Sequence, residues 1–135
     1  VPVLCAHAAT LRQGGVLHLE VESKVLGEEY VNRALQWSED LDATEFQRLL
    51  TEFCWAEVWS RDVLPDREKS LICLGMLISG GRQFELTQHF RAAMKNGLTK
   101  KEIMEVIIFS MPYAGVPLAL EALKSWSAMQ KGSDE

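Results

Sequence analysis

Residues 82–97 show the clearest helical spacing of apolar and polar positions in the chain. An α-helix advances by about 100° per residue, so apolar residues that recur every three or four positions share one face. This face is formed by Leu86, Phe90, Ala93 and Met94. The pattern predicts an amphipathic helix that packs against a core and ends at the Asn96-Gly97 pair.

Similar spacing recurs along most of the chain, and it predicts an all-α fold of about six helices. The predicted helices cover residues 27–37, 43–61, 67–79, 82–97, 100–111 and 118–129. Residues 1–24 are predicted to form an N-terminal arm. Gly14-Gly15 interrupts any helix there, and a short extended segment or arm is indicated by Val16, Leu17, Leu19 and Val21. Residues 25–129 form the predicted helical domain, and residues 130–135 a frayed tail.

Several polar residues and prolines mark the predicted helix ends. Asp66 is expected to cap one helix, and Gly80-Gly81 to end it. Pro112 is expected to kink or end the next-to-last helix, because proline lacks a backbone donor. Two capping boxes are predicted, one formed by Asp42 with Glu45 and one by Thr99 with Glu102.

Composition excludes some classes of protein. The 135-residue chain is 47% hydrophobic and 24% charged, which is typical of one globular domain. Its net charge of −5 argues against a nucleic-acid partner. No apolar run approaches the roughly 20 residues of a membrane span. The three cysteines lack the spacing of a disulfide framework, which favours a reducing, cytoplasmic location.

Arg82, Glu85 and His89 line one edge of the apolar face of helix 82–97. A carboxylate near a histidine raises the pKa of the imidazole and orients the ring, which suits a proton donor. We therefore expect His89 at the rim of an apolar cavity. The alternative interpretation of Glu85 and His89 is a surface pair worth about 0.3–0.5 kcal/mol.

Other side chains are weaker candidates for substrate binding. The candidate anion-binding groups are Arg61, Arg67, Arg82 and Arg91, although each taken singly is more typical of a solvated surface charge. Trp55 lies four residues before Trp59, a spacing more typical of a core than of a ligand stack. Tyr113 is expected either to face a cleft or to be a buried structural residue.

The sequence predicts neither a metal site nor a cofactor. His89 has no histidine or cysteine three or four positions away, and no nearby group clearly completes a ligand set with Glu85. Gly80-Gly81 lacks the context of a phosphate-binding loop.

Six motifs occur in a specific order between residues 25 and 127. They are VLGEEYV at 25–31, FCWAEVWSR at 53–61, KSLI at 69–72, ELTQHFRAAMKNGLT at 85–99, EIMEV at 102–106 and YAGVP at 113–117. This ordered set resembles the γ-carboxymuconolactone decarboxylase family. The wider superfamily includes alkyl hydroperoxidase D-like proteins with a C-x-x-C-x-x-x-H motif. Here Arg82 and Glu85 occupy the two cysteine positions, so a thiol peroxidase activity is excluded.

The resemblance implies an all-α ring oligomer, a trimer or a hexamer. It also implies cofactor-free decarboxylation of a small unsaturated lactone that bears two carboxylates. On this hypothesis His89 protonates a ring carbon and Glu85 orients His89. Arg82 or Arg61 holds a carboxylate, and Trp55 contributes an apolar wall.

Two departures from the family pattern leave other functions open. Phe109 stands where many members carry Gln or His, and Pro112 replaces an aliphatic residue before Tyr113. Both changes make the expected pocket more apolar. The alternatives are a related decarboxylase or cyclase of a polyketide-like acid, and a non-catalytic oligomeric binding protein.

Overall fold

A computed structural model describes residues 15–132, and the side chains from residue 19 onward. This range contains seven helices and no strand, so the predicted all-α fold is confirmed. None of these helices is long and apolar enough to cross a membrane. The described residues form two compact units, one that ends at Val63 and one that begins at Leu64.

The first unit contains three helices, the third of which changes its winding. They are α1 (Gly15–Leu26), α2 (Glu28–Asp40) and α3 (Thr44–Leu50), which continues as a π-helical segment (Thr51–Trp59). The second unit contains four helices. They are α4 (Asp66–Ser79), α5 (Gln83–Lys95), α6 (Lys100–Ala114) and α7 (Val116–Lys131).

Helix α1 corrects the prediction of an extended arm. Leu19, Glu22 and Val25 recur at the helical spacing of three and are all buried, and Leu19 packs with Val31 and Leu35 of α2. The acidic residue in the middle of this face hides the apolar pattern in the sequence. The rest of the predicted arm, residues 1–14, lies outside the described residues.

The start of α3 also differs from the prediction. Asp42 has a positive φ of 55°, and the backbone N–H groups of Asp42 and Ala43 donate to carbonyls of α2. Asp42 thus closes α2 in a left-handed conformation, which Asp tolerates better than most residues. Ala43 takes the N-cap position of α3 without a side-chain hydrogen bond, so the capping box predicted for Asp42 and Glu45 is wrong.

The core of the second unit confirms the apolar face predicted for α5. Leu86, Phe90 and Ala93 are at most 2% exposed, and Met94 packs at the edge of the same cluster. The ring of Phe90 meets Trp126 of α7 edge to face, with centroids 5.2 Å apart. This packing fixes α5 and therefore fixes the direction of the adjacent His89 side chain.

The helix ends in this unit match the predictions in part. The capping box of Thr99 and Glu102 is confirmed, and α4 ends before Gly80 as expected. Pro65, not Asp66, takes the N-cap position of α4. Helix α6 extends two residues past Pro112 to Ala114, and its C-cap is Gly115, whose φ is 96°. Helix α7 includes residues 130 and 131, which were predicted as tail, and residues 133–135 lie outside the described range.

Candidate active site

His89 lies half-buried at the seam between α4 and α5. Its Nδ1 atom is 3.4 Å from the Sγ atom of Cys73, which α4 contributes. Cys73 is also half-buried and is in no disulfide. The sequence gives no local signal for the contact between Cys73 and His89, because that contact depends on how two helices pack.

Burial controls the protonation of this pair. It lowers the pKa of His89, so the prediction of a raised pKa is wrong. Burial, and next the negative charge of Glu85, raise the pKa of the Cys73 thiol to about 11. Glu85 itself is exposed. Near neutral pH the pair therefore consists of a neutral thiol and a mostly neutral imidazole, with a carboxylate close enough to influence the thiol.

An open groove of about 820 Å³ lies between α4 and α6. Phe109 and Tyr113 line it, and their ring centroids are 5.4 Å apart. No charged side chain is among its lining residues, all of which belong to the described part of the chain. His89 is not among them either, so this groove is not the apolar cavity that was expected beside the imidazole. The lining residues are Leu71, Ile72, Gly75, Met76, Ser79, Gly80, Val106, Phe109, Ser110, Tyr113 and Ala114.

The remaining candidates differ in exposure. Arg82 is exposed and takes the N-cap position of α5, one turn before Glu85. Arg61 is exposed and follows the π-helical segment of the first unit. Trp55, in that segment, is only 5% exposed, and it stacks on Trp59 with centroids 5.4 Å apart. The geometry of Trp55 matches the packing interpretation better than a ligand contact.

The first unit holds a buried carboxyl group that the sequence analysis missed. Glu22 is 2% exposed and accepts a hydrogen bond of 3.0 Å from the Thr51 hydroxyl. The side-chain amide of Gln47 donates in turn to Thr51. Burial raises the pKa of Glu22 to about 7, and the hydrogen bond from Thr51 offsets only part of that effect. The signal available in the sequence was the helical spacing of Glu22 with Leu19 and Val25.

No group of three or more metal-binding side chains is found within the part of the chain that the structure describes.

Comparison with known proteins defines the class. The model of the carboxymuconolactone decarboxylase family matches residues 44–128, and the chain belongs to this family. A 4-carboxymuconolactone decarboxylase of Acinetobacter baylyi is 43% identical over 105 residues, which cover 78% of each chain. A nitrosuccinic acid decarboxylase of Metarhizium robertsii is 38% identical over 109 residues, which cover 78% of this chain and 73% of the relative. Both relatives are named decarboxylases, and the predicted enzyme class, a carboxy-lyase, is confirmed.

Proposed function

We propose that this protein is a cofactor-independent decarboxylase of a small, carboxylated, unsaturated lactone of the 4-carboxymuconolactone type. The observation that carries the proposal is the 43% identity to a 4-carboxymuconolactone decarboxylase over 78% of both chains. Two carboxylates and a conjugated carbonyl are the features that such a substrate offers to the protein.

The chemistry needs an electron sink and a proton. When the bond to the carboxylate breaks, its electron pair passes into the conjugated lactone carbonyl, and CO2 leaves. A positive or hydrogen-bonding group stabilises the resulting oxyanion. A general acid then protonates a ring carbon, and the carbonyl forms again.

His89 is the proposed proton donor. Burial lowers the pKa of His89, so its protonated form is a stronger acid than an ordinary imidazolium and releases its proton more readily. The same shift makes that form a minority at neutral pH. We therefore expect decarboxylation to become faster as the pH falls toward the pKa of His89.

Charged residues around α5 have proposed roles in orientation and binding. Glu85 lies one turn before His89 on α5, and this spacing is the basis for the proposed role of Glu85 in orienting the imidazole. Arg82 is a candidate for holding a substrate carboxylate. The first backbone N–H groups of α5 lie beside Arg82 and favour an anion there. Arg61 is the second candidate for this role, and Arg82→Ala and Arg61→Ala should raise KM if the respective guanidinium binds substrate.

The aromatic candidates have proposed contacts with the apolar part of the substrate. Phe109 and Tyr113 are 69% and 80% exposed and border the groove between α4 and α6. Because no lining residue of that groove is charged, it suits an apolar group and not the carboxylates. For Trp55, burial and stacking on Trp59 favour a packing role.

A second candidate substrate is nitrosuccinic acid. The 38% identity to a nitrosuccinic acid decarboxylase favours it. Nitrosuccinic acid also carries two carboxyl groups, and its nitro group is an electron sink like the lactone carbonyl. The same proton donor would serve both reactions.

We also propose that the protein forms a ring-shaped trimer or hexamer in the cytoplasm. Large apolar side chains that a partner copy would cover support the oligomer, since Trp37, Phe46 and Phe53 are each more than 60% exposed. The absence of disulfide-type cysteine spacing supports the location. Light scattering after size-exclusion chromatography tests the oligomer.

The decisive experiment measures CO2 release from 4-carboxymuconolactone and from nitrosuccinate in separate assays. We expect turnover of the lactone and a loss of about 10²–10⁴-fold in His89→Ala. Gln88→Ala, at the preceding position of α5, is the control and should stay near wild type. Turnover of nitrosuccinate but not of the lactone would show that nitrosuccinate, and not the lactone, is the substrate. Full activity of His89→Ala would show that His89 is not the proton donor.

A further inference from the structure

The contact between Cys73 and His89 joins two side chains of which only one has a role in the proposed reaction. The sulfur lies 3.4 Å from Nδ1 of the ring, within reach of an S–H···N hydrogen bond. Cys73 comes from α4 and His89 from α5, and both helices are anchored in the same core through Leu74 and Phe90. The packing of these neighbouring residues holds the thiol against one particular nitrogen of the ring.

We propose that Cys73 is a positioning residue whose thiol donates a hydrogen bond to Nδ1 of His89 and so keeps the ring hydrogen of the neutral imidazole on Nε2. A neutral imidazole has one nitrogen that carries a hydrogen and one that carries a lone pair. A hydrogen-bond partner at either nitrogen determines which of the two carries the hydrogen. A thiol is a weak donor and a weak acceptor, whereas the bare imidazole nitrogen is a good acceptor.

The electrostatics of the seam favour this arrangement over the reverse one. The alternative places a hydrogen on Nδ1 and requires the sulfur to accept it, which a thiolate does far better than a thiol. The buried position of Cys73 and the negative charge of Glu85 both disfavour a thiolate and raise the pKa of the thiol to about 11. Cys73 therefore keeps its hydrogen at neutral pH and has one to donate.

The consequence for catalysis rests on the proposed function. A donor aimed at Nδ1 opposes the second ring hydrogen that an imidazolium must carry there, so it makes protonated His89 more acidic. In the decarboxylation, the Nε2–H bond of that imidazolium breaks as the new C–H bond forms, which leaves the ring hydrogen on Nδ1. Exchange with solvent then places a proton on Nε2 and removes the one on Nδ1, and this restores the resting tautomer. Cys73 would thus fix which nitrogen faces the substrate without touching the substrate.

Nuclear magnetic resonance of histidine labelled with ¹⁵N tests the proposal without any turnover. In wild type we expect the Nε2–H tautomer for His89, whose signals are identified by their absence in His89→Gln. Cys73→Ala and Cys73→Val both remove the donor, but valine keeps the side-chain volume. Both should lose the preference for Nε2–H and raise the pKa of His89 by up to about one pH unit, since a hydrogen bond contributes about 0.5–1.5 kcal/mol.

Two further variants serve as controls. Cys73→Ser retains a donor at the same position and should keep the wild-type tautomer. Cys54→Ala removes the other half-buried cysteine of the described residues, which belongs to the first unit, and should change neither tautomer nor pKa. An Nδ1–H tautomer in wild type would overturn the proposal, as would Ala and Val variants that keep the wild-type tautomer.

Kinetics provide the second readout. On the acidic plateau, where the ring is protonated, kcat should stay within about twofold of wild type in Cys73→Ala and Cys73→Val, with KM unchanged, because the proton that leaves Nε2 is not the one that the thiol opposes. The inflection of the pH profile should move upward in both variants, and Cys73→Ser should restore it. If wild type turns over neither substrate, the proposed function fails, whereas the tautomer measurement still decides the role of Cys73.

Discussion

Replacing Glu22 by glutamine should remove a pH-dependent destabilisation of the first unit. Glu22 is 2% exposed, and burial raises its pKa from 4.5 to about 7. An amide has nearly the same shape and can still accept the hydrogen bond from Thr51 through its carbonyl oxygen. The variant therefore removes the ionisation of this group and largely preserves its contacts.

The size and sign of the effect follow from the two pKa values. Below pH 4.5 the carboxyl is protonated in both the folded and the unfolded state and contributes no pH dependence. Between pH 4.5 and 7 the unfolded chain loses a proton that the folded chain retains, so the stability of wild type falls as the pH rises. Each pKa unit corresponds to about 1.4 kcal/mol, so the full loss above pH 7 is about 3 kcal/mol.

Urea unfolding between pH 4.5 and 8.5, followed by far-ultraviolet circular dichroism at one protein concentration, measures this loss. The free energy of unfolding of Glu22→Gln minus that of wild type should increase by about 3 kcal/mol across this range. Other titrating groups cancel in the difference. The control is Glu20→Gln, an exposed position of α1, for which the difference should stay within about 0.5 kcal/mol.

Parallel stability curves for wild type and Glu22→Gln would refute the reasoning. They would mean that the carboxyl is ionised at no cost in the folded state, through contacts other than the hydrogen bond from Thr51. A difference that changed in the opposite direction would mean that the folded chain stabilises the carboxylate.

Three further predictions concern the second unit. Decarboxylation should accelerate as the pH falls below 6.5, because burial lowers the pKa of His89, and a pH–kcat profile with its inflection above 6.5 would contradict this. Phe90→Ala should lower the free energy of unfolding by about 3–5 kcal/mol in urea titrations, since the ring is fully buried against Trp126. A decrease below about 1 kcal/mol would contradict this packing. Thr99→Ala should cost about 1 kcal/mol through the loss of the capping box with Glu102, whereas Thr99→Ser should restore most of it.

The sequence predicted those elements whose signal is local. The apolar face of α5 follows from residue spacing alone, and the Thr99 capping box needs only two residues three positions apart. Helix α1 was missed because its buried face includes the acidic Glu22. An acidic residue predicts a solvent-exposed position when only the neighbouring residues are considered. Asp42 was assigned to the wrong helix because the same residue type favours both a cap and a left-handed turn.

The sequence identified individual candidate residues of the site but not how those residues contact one another. Spacing along α5 identified Glu85 and His89, yet it could not show that α4 brings a thiol to the ring. It also could not show that burial, and not the carboxylate, controls the pKa of His89. Both facts depend on contacts between helices, which leave no trace in a single stretch of sequence.

The stack of Trp55 on Trp59 gives the first unit an optical reporter of its own. Two indoles at 5.4 Å are close enough for their electronic transitions to couple, which produces a paired signal in near-ultraviolet circular dichroism. Trp126 lies in the core of the second unit and has no stacked indole among the described aromatic contacts. Loss of the paired signal would thus report unwinding of the π-helical segment, even while the rest of the chain remained folded.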